Sequence, residues 1–391
     1  MAEFFEEARE LFEYTQLLRR DFHRNPELGF HETRTAGIVV RELQSLGIEV
    51  ATGIAQTGVV ALLEGAHPGP VVLVRFDMDA LPILEETQAE YASTQPGVMH
   101  ACGHDGHVAI GLTVARLLNA HRQEFDGTVK FIFQPAEEGM GGAEKMVAEG
   151  ILENPKPDVA LAAHVWNDRP VGWVGISSGP VMAAAEYFAL RVTGKGGHGA
   201  NPHLAIDPVA ASAQIITALQ NIVSRNVSPL ETAVVTVASI KGGEAFNVIP
   251  PFVDMKGTIR TFDPEVREMV IGRFKETVKD VSAAMGCQVK IELHPLTPAV
   301  TNDAEISRQV ERVAIKSLPV TVDKNFRTMG SEDMAVILQK IPGCFIFVGS
   351  ANAEKGLNAP HHHPNFDIDE AALPIAAALL SSAVVDFLKP Q

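Results

Sequence analysis

The stretch that organises the sequence reads Met99-His100-Ala101-Cys102-Gly103-His104-Asp105-Gly106-His107. It places one thiol, three imidazoles and one carboxylate within nine residues. Because Cys102 and His104 flank Gly103, a tight turn could direct both side chains at one divalent metal of the zinc type, which accepts thiolate, imidazole and carboxylate ligands together. Two other interpretations stay open at this point. A lone cysteine is often a small buried hydrophobic residue, and a thiol beside an imidazole can be a nucleophile.

The composition excludes several classes of protein. A chain of 391 residues exceeds what one compact core usually organises, so we expect two or three domains. Lysine and arginine number 32 against 48 aspartates and glutamates, and this formal charge of −16 argues against nucleic acid as a partner. Three widely spaced cysteines argue against a disulfide framework and favour a reducing, cytoplasmic compartment.

No targeting or membrane segment is expected. The first ten residues lack the basic-then-apolar layout of a secretion signal. The longest uncharged run, residues 371–385, contains Pro374 and is shorter than the ~20 apolar residues of a membrane span. We therefore interpret this run as a buried C-terminal helix.

Short apolar runs around the central stretch predict a parallel sheet. The runs at 71–76, 129–134 and 158–165 predict strands that are buried on both faces. Residues 106–121 and 142–149 have helical spacing and lie between these strands. Strands that alternate with helices predict an α/β domain with a largely parallel sheet flanked by helices.

The pattern changes between residues 183 and 293. Four segments of alternating apolar and polar residues predict half-exposed strands, at 188–192, 233–240, 253–262 and 288–293. Helical stretches at 207–224 and 264–285 lie between them, and a strand of the first kind returns at 343–349. We therefore predict a discontinuous first domain, residues 1–182 and 294–391, and an inserted α+β domain, residues 183–293.

Reactive residues follow the predicted strands of the first domain. They are Asp77 and Asp79, Glu137 and Glu138, His164, and the run His361-His362-His363. Ligands of open α/β sheets bind beyond the carboxyl ends of the strands, so these residues are expected to meet Cys102 and His104. Adjacent carboxylates on an irregular backbone point in different directions, so one glutamate could bind metal while the other takes a proton from water. Two solvated acids are the plainer alternative.

In combination and in order, these segments resemble a family of metal-dependent amidohydrolases. That family includes hippurate hydrolase, N-acyl-amino-acid aminoacylases and indole-acetyl-amino-acid hydrolases, within the superfamily of co-catalytic dizinc aminoacylases and carboxypeptidases. The resemblance covers essentially the whole chain. The matching segments are residues 77–82, 100–105, 134–139, 164–166, 194–203, 246–250 and 362–364.

The resemblance implies a role for each reactive residue. Two divalent metal ions would be held by Cys102, His104, Glu138, His164 and His362. Glu137 would be the general base, and Asp79, with Asp77 beside it, would orient imidazole ligands. The last ligand is placed two residues before Pro364, with the two flanking histidines as alternatives. The metal stays open among zinc, manganese, cobalt and nickel.

The inserted domain carries further candidates. Residues 194–199 match a dinucleotide-binding fingerprint by letter, but no helix opens at once, so no dinucleotide is expected. The resemblance makes the domain a lid and dimerisation domain of a homodimer or homotetramer, whose His198 enters the partner's site to stabilise an oxyanion. Asn247 and Arg260 are candidates for substrate binding, because a guanidinium suits a carboxylate. A turn-capping asparagine and a surface arginine are equally open.

The function implied is hydrolysis of the amide of an N-acyl amino acid, which gives a carboxylic acid and a free amino acid. A metal-activated water, deprotonated by Glu137, would attack the acyl carbonyl. A dipeptidase or carboxypeptidase with the same metals is the alternative within this class. A hydrolase with Cys102 as nucleophile, and a binding protein on an inactive enzyme scaffold, are the alternatives from other classes. An intact Glu137 and a complete ligand set argue against the last one.

Overall fold

The computed structural model describes residues 4–389. Its α-helices are α1 (Phe4–Glu10), α2 (Phe12–Arg24), α3 (Thr33–Ser45), α4 (His104–Ala120), α5 (Gly142–Ala148), α6 (Pro208–Asn221), α7 (Pro264–Ala284), α8 (Ala304–Ser317), α9 (Met334–Leu338) and α10 (Ala372–Phe387). Short 3₁₀ turns occupy Pro202–Leu204 and Ala353–Lys355, and a π-helical turn, Ile222–Asn226, continues α6. No helix in this part of the chain is long and apolar enough to cross a membrane.

The strands are β1 (Glu49–Ile54), β2 (Gly58–Glu64), β3 (Val71–Asp77), β4 (Thr128–Gln134), β5 (Val159–Pro170), β6 (Trp173–Gly175), β7 (Gly179–Met182), β8 (Ala184–Thr193), β9 (Gly197–His198), β10 (Ala233–Lys241), β11 (Val248–Ile249), β12 (Phe252–Thr261), β13 (Gln288–Thr297), β14 (Val300–Asn302), β15 (Thr321–Asp323) and β16 (Gly343–Ala351). Each strand predicted from an apolar run or an alternating segment coincides with one of these strands, although the ends differ by a few residues.

The chain divides into two compact units. Of the described residues, 4–181, 300–327 and 332–389 form the first unit, and 182–299 with 328–331 form the second. The second unit is wider than the predicted segment 183–293, because β13 continues to Thr297 and Thr328 pairs with Met182.

An eight-stranded sheet lies at the centre of the first unit, in the order β1-β2-β4-β3-β5-β16-β6-β15. The neighbours β4, β3, β5 and β16 run parallel, whereas β1, β2 and β4 are joined by antiparallel pairing. Every residue of β3 is buried, as expected for a strand that is covered on both faces. Helices α3, α4 and α10 share the hydrophobic core with these strands. The predicted α/β class, with a largely parallel sheet flanked by helices, is confirmed.

The late strand β16 explains why the first unit is discontinuous. It pairs in parallel with β5, with Phe347 opposite His164, although the whole second unit lies between these two strands in the sequence. This pairing brings the loop that follows β16 to the same end of the sheet as His164.

The second unit is built on an antiparallel sheet in the order β10-β12-β8-β13. Burial alternates along β8 and β13, so one face of each strand packs on the core and the other faces water. Helices α6 and α7 bury Ile215 and Phe274 against Phe188 of the sheet. A separate ribbon of β9 and β11 carries His198, which pairs with Val248.

Candidate metal centre and active site

The candidate ligands of the first unit gather where parallel strands end. β3 ends at Asp77, β4 is followed by Glu137 and Glu138, and β5 carries His164. The carboxyl ends of parallel strands lie at one edge of a sheet, and this edge is where open α/β sheets bind ligands. Helix α4 begins at His104, directly beyond the same strands.

Gly103 shapes the turn that presents the thiol and the imidazole. Its φ of +89° lies in the left-handed region, and an added Cβ would lie 2.4 Å from Cγ2 of Val165. Any side chain at this position would therefore meet both backbone strain and a steric clash. The glycine lets the turn place Cys102 and His104 on either side of it.

His104 has one ring nitrogen fixed and the other free. Its Nδ1 donates to the backbone oxygen of Asp79 at 2.9 Å and lies 3.2 Å from the Asp79 carboxylate. The other Asp79 oxygen accepts from the backbone N–H of Glu138 at 3.0 Å. The buried Nε2 of His104 has no hydrogen-bond partner among residues 4–389. A histidine with Nδ1 held by an acceptor and Nε2 free has the arrangement that metal ligands adopt.

The surroundings of His104 favour positive charge. Burial lowers the pKa of this imidazole, but the carboxylates of Asp77, Asp79 and Glu138 outweigh burial and raise the pKa to about 10. An environment that stabilises a proton on the ring also stabilises a metal cation at the same nitrogen.

His164 is held in the same manner. Its Nδ1 donates to the backbone oxygen of Val165 at 2.6 Å, and its Nε2 lies 3.6 Å from Sγ of Cys102. Burial lowers the pKa of His164 well below its ordinary value, and His107 and His361 lower it further. The ring is therefore neutral at physiological pH, as an imidazole ligand has to be.

The three consecutive histidines have different neighbours. His362 places Nε2 3.1 Å from Oε1 of Glu138, and its backbone N–H donates to Ala101. His361 instead donates from Nε2 to the backbone oxygen of Val165 at 3.1 Å. His363 accepts a hydrogen bond from the backbone of the nearby loop. Of the three, His362 is the one that lies with Cys102 and Glu138.

The five candidate ligands form overlapping clusters with the neighbouring Glu137. The clusters, each with donor atoms within 4.8 Å of one another, are Cys102 with His104 and His164, Cys102 with Glu138 and His362, and His104 with Glu137 and Glu138. Each pair of clusters shares one residue. A set of thiolate, imidazole and carboxylate donors with shared members fits divalent ions of the zinc type.

The chemistry of the thiol also fits a cation. Burial, together with the carboxylates of Glu138, Glu137 and Asp77, raises the pKa of Cys102 well above its ordinary value. Such a thiol stays protonated unless a positive charge is placed beside it. A metal ion supplies that charge and converts the thiol into a thiolate ligand.

Glu137 lies at the edge of the ligand set, in a group of buried acids. One of its carboxyl oxygens lies within 4.8 Å of oxygens of Glu332 and Asp333. Burial raises the pKa of Glu137 well above its ordinary value, and Glu332, Glu138 and Asp333 raise it further, while Arg75 opposes them. A carboxyl group with a raised pKa can both accept and release a proton near neutral pH.

A buried arginine, whose role the sequence motifs do not predict, holds this group of acids in place. Arg75 pairs with Asp77 at 2.6 Å and with Glu332 and Asp333 at 2.8 Å each. Its Nε donates to Gln134 at 2.9 Å. The one signal in the sequence is a charged residue inside the otherwise apolar run 71–76. Nothing local marks Glu332 and Asp333, which lie more than 250 residues further along the chain.

His107 is a second residue whose role was not predicted. Its Nδ1 donates to Asp77 at 2.5 Å, and its Nε2 accepts the backbone N–H of Val165 at 2.9 Å. Both ring nitrogens are therefore engaged within the protein. His107 therefore holds the backbone N–H of Val165, the residue whose carbonyl oxygen fixes His164. Asp77 contacts this supporting ring more closely than it contacts His104, at 3.8 Å.

The remaining candidates belong to the second unit. His198 is exposed on β9, and its Nδ1 accepts the backbone N–H of Ala200 at 3.0 Å. Asn247 is exposed, and its backbone oxygen accepts from Gly199 at 2.8 Å. Arg260 is half-buried on β12, where burial lowers its pKa and Nε donates to Thr258 at 3.1 Å.

Comparison with known proteins identifies the family. The model of peptidase family M20/M25/M40 matches residues 73–386. The chain belongs to this family. The relationship that the sequence motifs predicted is thereby confirmed.

Two curated relatives and one solved structure show how far the similarity extends. The N-acetylcysteine deacetylase of Bacillus subtilis is 40% identical over 373 residues, which cover 95% of this chain and 96% of that protein. Thermostable carboxypeptidase 1 of Saccharolobus solfataricus is 36% identical, with 97% of each chain covered. A Bacillus subtilis crystal structure described as a dinuclear metal binding peptidase from the M20 family has a TM-score of 0.85 and 36% identity, with 97% of this chain and 99% of that chain covered.

Proposed function

We propose that the protein is a metal-dependent amidohydrolase that cleaves N-acyl amino acids into a carboxylic acid and a free amino acid. One observation carries the proposal: overlapping donor clusters that share Cys102, His104 and Glu138 lie beside the buried carboxyl group of Glu137. Cys102, His104, Glu138, His164 and His362 would hold two divalent ions, which when bound lower the pKa of water and polarise a carbonyl oxygen. Zinc, manganese, cobalt and nickel are the candidates, because the set mixes thiolate, imidazole and carboxylate.

Glu137 moves the proton in this reaction. Its carboxylate accepts a proton from the water that attacks the acyl carbon, and the carboxylic acid then donates this proton to the nitrogen of the leaving amino acid. Burial, together with the acids around Glu137, raises its pKa, so it is a stronger base than an exposed glutamate. Asp79 orients both partners, since it accepts from the ring of His104 and from the backbone of Glu138.

The substrate class follows from what the two relatives have in common. A deacetylase of N-acetylcysteine and a carboxypeptidase each break an amide whose nitrogen belongs to an amino acid with a free carboxylate. We assign recognition of this carboxylate to Arg260, whose half-buried guanidinium can form paired hydrogen bonds with it, and to Asn247. We assign stabilisation of the oxyanion to His198.

The alternative enzymes of this class differ from the proposed one in the group that they require on the acyl side of the amide. A dipeptidase or carboxypeptidase requires an amino acid or peptide on the acyl side, whereas an amidohydrolase accepts a simple acyl group. A mechanism with Cys102 as nucleophile is disfavoured, because burial and the carboxylates of Glu138, Glu137 and Asp77 raise the pKa of the thiol.

The proposal also covers the roles of the two units, the oligomeric state and the cellular compartment. We assign metal binding and catalysis to the first unit, and the roles of lid and homodimer contact to the second unit. Dimers could further pair into tetramers. All three cysteines are free, and a thiolate ligand persists in a reducing compartment such as the cytoplasm.

The test is to strip the purified protein with a chelator and reload it separately with Zn²⁺, Mn²⁺, Co²⁺ or Ni²⁺. Metal analysis and turnover of N-acetyl amino acids, N-benzoyl amino acids and unblocked dipeptides are then measured. We expect about two ions per chain, no turnover after stripping, and recovery on N-acyl amino acids. Full turnover after exhaustive chelation would contradict the proposal and favour the thiol mechanism. Faster turnover of dipeptides would favour the alternative within the class.

A matched pair of cysteine variants separates a ligand from a structural thiol. Cys102→Ser should lower the metal content, whereas Cys287→Ser, in the core of the second unit, should leave it unchanged. Equal metal content in both variants would remove Cys102 from the ligand set.

A further inference from the structure

Four aromatic side chains form a row across one end of the sheet in the first unit. The row consists of Trp166 on β5, Phe347 on β16, Trp173 on β6 and Phe326, which follows β15. These four strands are consecutive neighbours in the sheet, in the order β5-β16-β6-β15. We call these four side chains the aromatic row.

Trp166 joins the aromatic row to the candidate metal ligand His164. The two residues lie two positions apart on β5, so their side chains share a face of the sheet. Their ring centroids are 5.7 Å apart. The indole also meets Phe347 at 5.1 Å and Phe326 at 5.9 Å, both edge to face. The row therefore begins in contact with the proposed reaction centre.

The aromatic row is only partly covered by the protein. Phe347 is buried, whereas Trp166, Trp173 and Phe326 each keep part of their surface exposed. Phe326 lies 4.9 Å from Phe347 and 5.0 Å from Trp173, measured between ring centroids. The row is thus a continuous apolar surface with a buried floor. Partly exposed aromatic surface beside a few convergent polar groups is typical of a ligand site.

A cation marks the outer end of the row. The guanidinium of Arg169 lies 5.1 Å from the ring centroid of Phe326 and 5.5 Å from that of Trp173. Because Arg169 lies against Phe326 and Trp173, the part of the row next to the proposed reaction centre is the one between His164 and Phe326.

We propose that the aromatic row selects the acyl group of the substrate and favours a flat aryl group, such as benzoyl, over acetyl. The inference rests on the proposed function and adds its acyl specificity. A ring that packs on Trp166 and Phe326 gains edge-to-face or offset contacts at 4.5–7 Å. An acetyl methyl group is too small to reach both rings.

The first test compares two substrates that differ only in the acyl group, N-benzoylglycine and N-acetylglycine. Phe326→Leu should lower kcat/KM for the benzoyl substrate about tenfold, mainly through KM, and change that for the acetyl substrate by less than about threefold. Phe326→Tyr, which keeps the ring, should restore the preference. Phe326 was chosen because the ring contacts of His164 do not include it among the described residues.

Phe5→Leu is the matched control, since Phe5 is also half-buried in the first unit but lies on α1, outside the row. It should leave the ratio of the two kcat/KM values unchanged. Equal losses on both substrates in Phe326→Leu would overturn the proposal, as would the same change of ratio in Phe5→Leu.

The second test does not depend on turnover. The chain has two tryptophans, both in the aromatic row, so Trp173→Phe leaves Trp166 as the sole indole reporter. Titration with benzoate should change its fluorescence in a saturable manner, and acetate at equal concentration should not. Adding Phe326→Leu should weaken the apparent benzoate affinity about tenfold.

The two tests fail in different ways. Unchanged Trp166 fluorescence with benzoate would overturn the proposal, even if the protein hydrolyses N-benzoylglycine well. Saturable benzoate binding in a metal-loaded protein that hydrolyses neither substrate would support the aryl site and contradict the proposed function.

Discussion

The two units hold their polar candidate residues in opposite ways. In the first unit, the rings of His104 and His164 are buried, and each has one nitrogen fixed by an acceptor. In the second unit, His198 is exposed on a two-stranded ribbon, and Asn247 is exposed directly before its strand β11. Preorganised ligands need no rearrangement to receive an ion. Exposed residues contribute strongly only when a substrate or another subunit covers them, because water weakens their electrostatic interactions.

The largest effect is expected in the first unit, whose candidate ligands are held in place. It is tested at the two adjacent glutamates of this unit. Glu137→Gln keeps the shape of the side chain but removes the proton acceptor, so kcat should fall by about 10²–10⁴ while metal content is retained. Glu138→Gln should instead lose metal, because this side chain lies with Cys102 and His362. Turnover and bound metal are measured on the same samples.

Exposed Glu144 of α5 provides the control for this pair. Glu144→Gln should change neither turnover nor metal content. Loss of metal in Glu137→Gln, with metal retained in Glu138→Gln, would exchange the two roles.

The two units also differ in how far the sequence could predict them. The strands of the first unit were predictable because uninterrupted apolar runs such as β3 are a local signal of a strand covered on both faces. The meeting of ligand candidates followed from one topological rule about strand ends. The second unit was predictable as a change of periodicity. The limits of the second unit could not be predicted, because neither segment contains a sequence pattern that indicates the pairing of Thr328 with Met182.

Contacts over long sequence distances explain most of what was missed. The ion pairs of Arg75 with Glu332 and Asp333 join a strand near the N-terminus to a segment without a recognisable motif. The short edge strands β1 and β15 lack a strong apolar pattern. Helical spacing runs without interruption from Phe4 to Phe22, but the structure separates α1 from α2 at Leu11. Periodicity identifies the buried face of a helix and does not locate the residue at which one helix ends and the next begins.

The next largest effect concerns the exposed His198 of the second unit. It tests whether this residue completes the active site of another subunit. His198→Ala should lower kcat by about 10²–10³, the usual result of removing one oxyanion donor. His203→Ala, at an exposed histidine of the same unit, should leave kcat unchanged. The variant isolates the proposed donor because His198 lies outside the metal-donor clusters among the described residues.

Mixing inactive subunits shows which chain supplies His198. If His198 enters the partner's site, a mixed dimer of His198→Ala and Glu137→Gln contains one site with both residues intact. Activity should then return towards half per mixed dimer after subunit exchange. If each chain supplied its own His198, the mixture would stay at the level of the separate variants.

A smaller effect is expected from removing the positive charge of Arg260 in the second unit. Arg260→Gln should lower kcat/KM for an N-acyl amino acid by about 10–100-fold, the range for losing a hydrogen bond to a charged group. The corresponding N-acyl amino acid amide lacks the carboxylate and should be affected far less. Arg225→Gln, at an exposed arginine of the same unit, is the control. Equal losses on the acid and the amide would show that Arg260 does not bind the carboxylate.

The smallest expected effect concerns the stability of the first unit, whose buried charges extend beyond the candidate metal centre. His23 is fully buried, and its Nδ1 lies 2.7 Å from Asp105, which also pairs with buried Arg19 at 2.8 Å. Burial and Arg19 lower the pKa of His23, but Asp105 and Glu85 outweigh them and raise it to about 9. A raised pKa in the folded state means that the protonated ring stabilises the fold below the unfolded pKa of ~6.5. This contribution is lost as the pH rises through about 9.

The free energy of unfolding should therefore fall between pH 6.5 and 9.5 by an amount on the order of 1 kcal/mol that depends on His23. Urea unfolding at both pH values measures it, with wild type compared against His23→Gln. The variant should be less stable at pH 6.5 and should show a smaller loss on raising the pH. His203→Gln changes an exposed histidine of the second unit and should keep the wild-type pH dependence. If His23→Gln also kept the wild-type pH dependence, the buried ion cluster around His23 would not be the source of the pH effect. The contrast between buried polar residues in the first unit and exposed ones in the second would then hold for the candidate metal ligands alone.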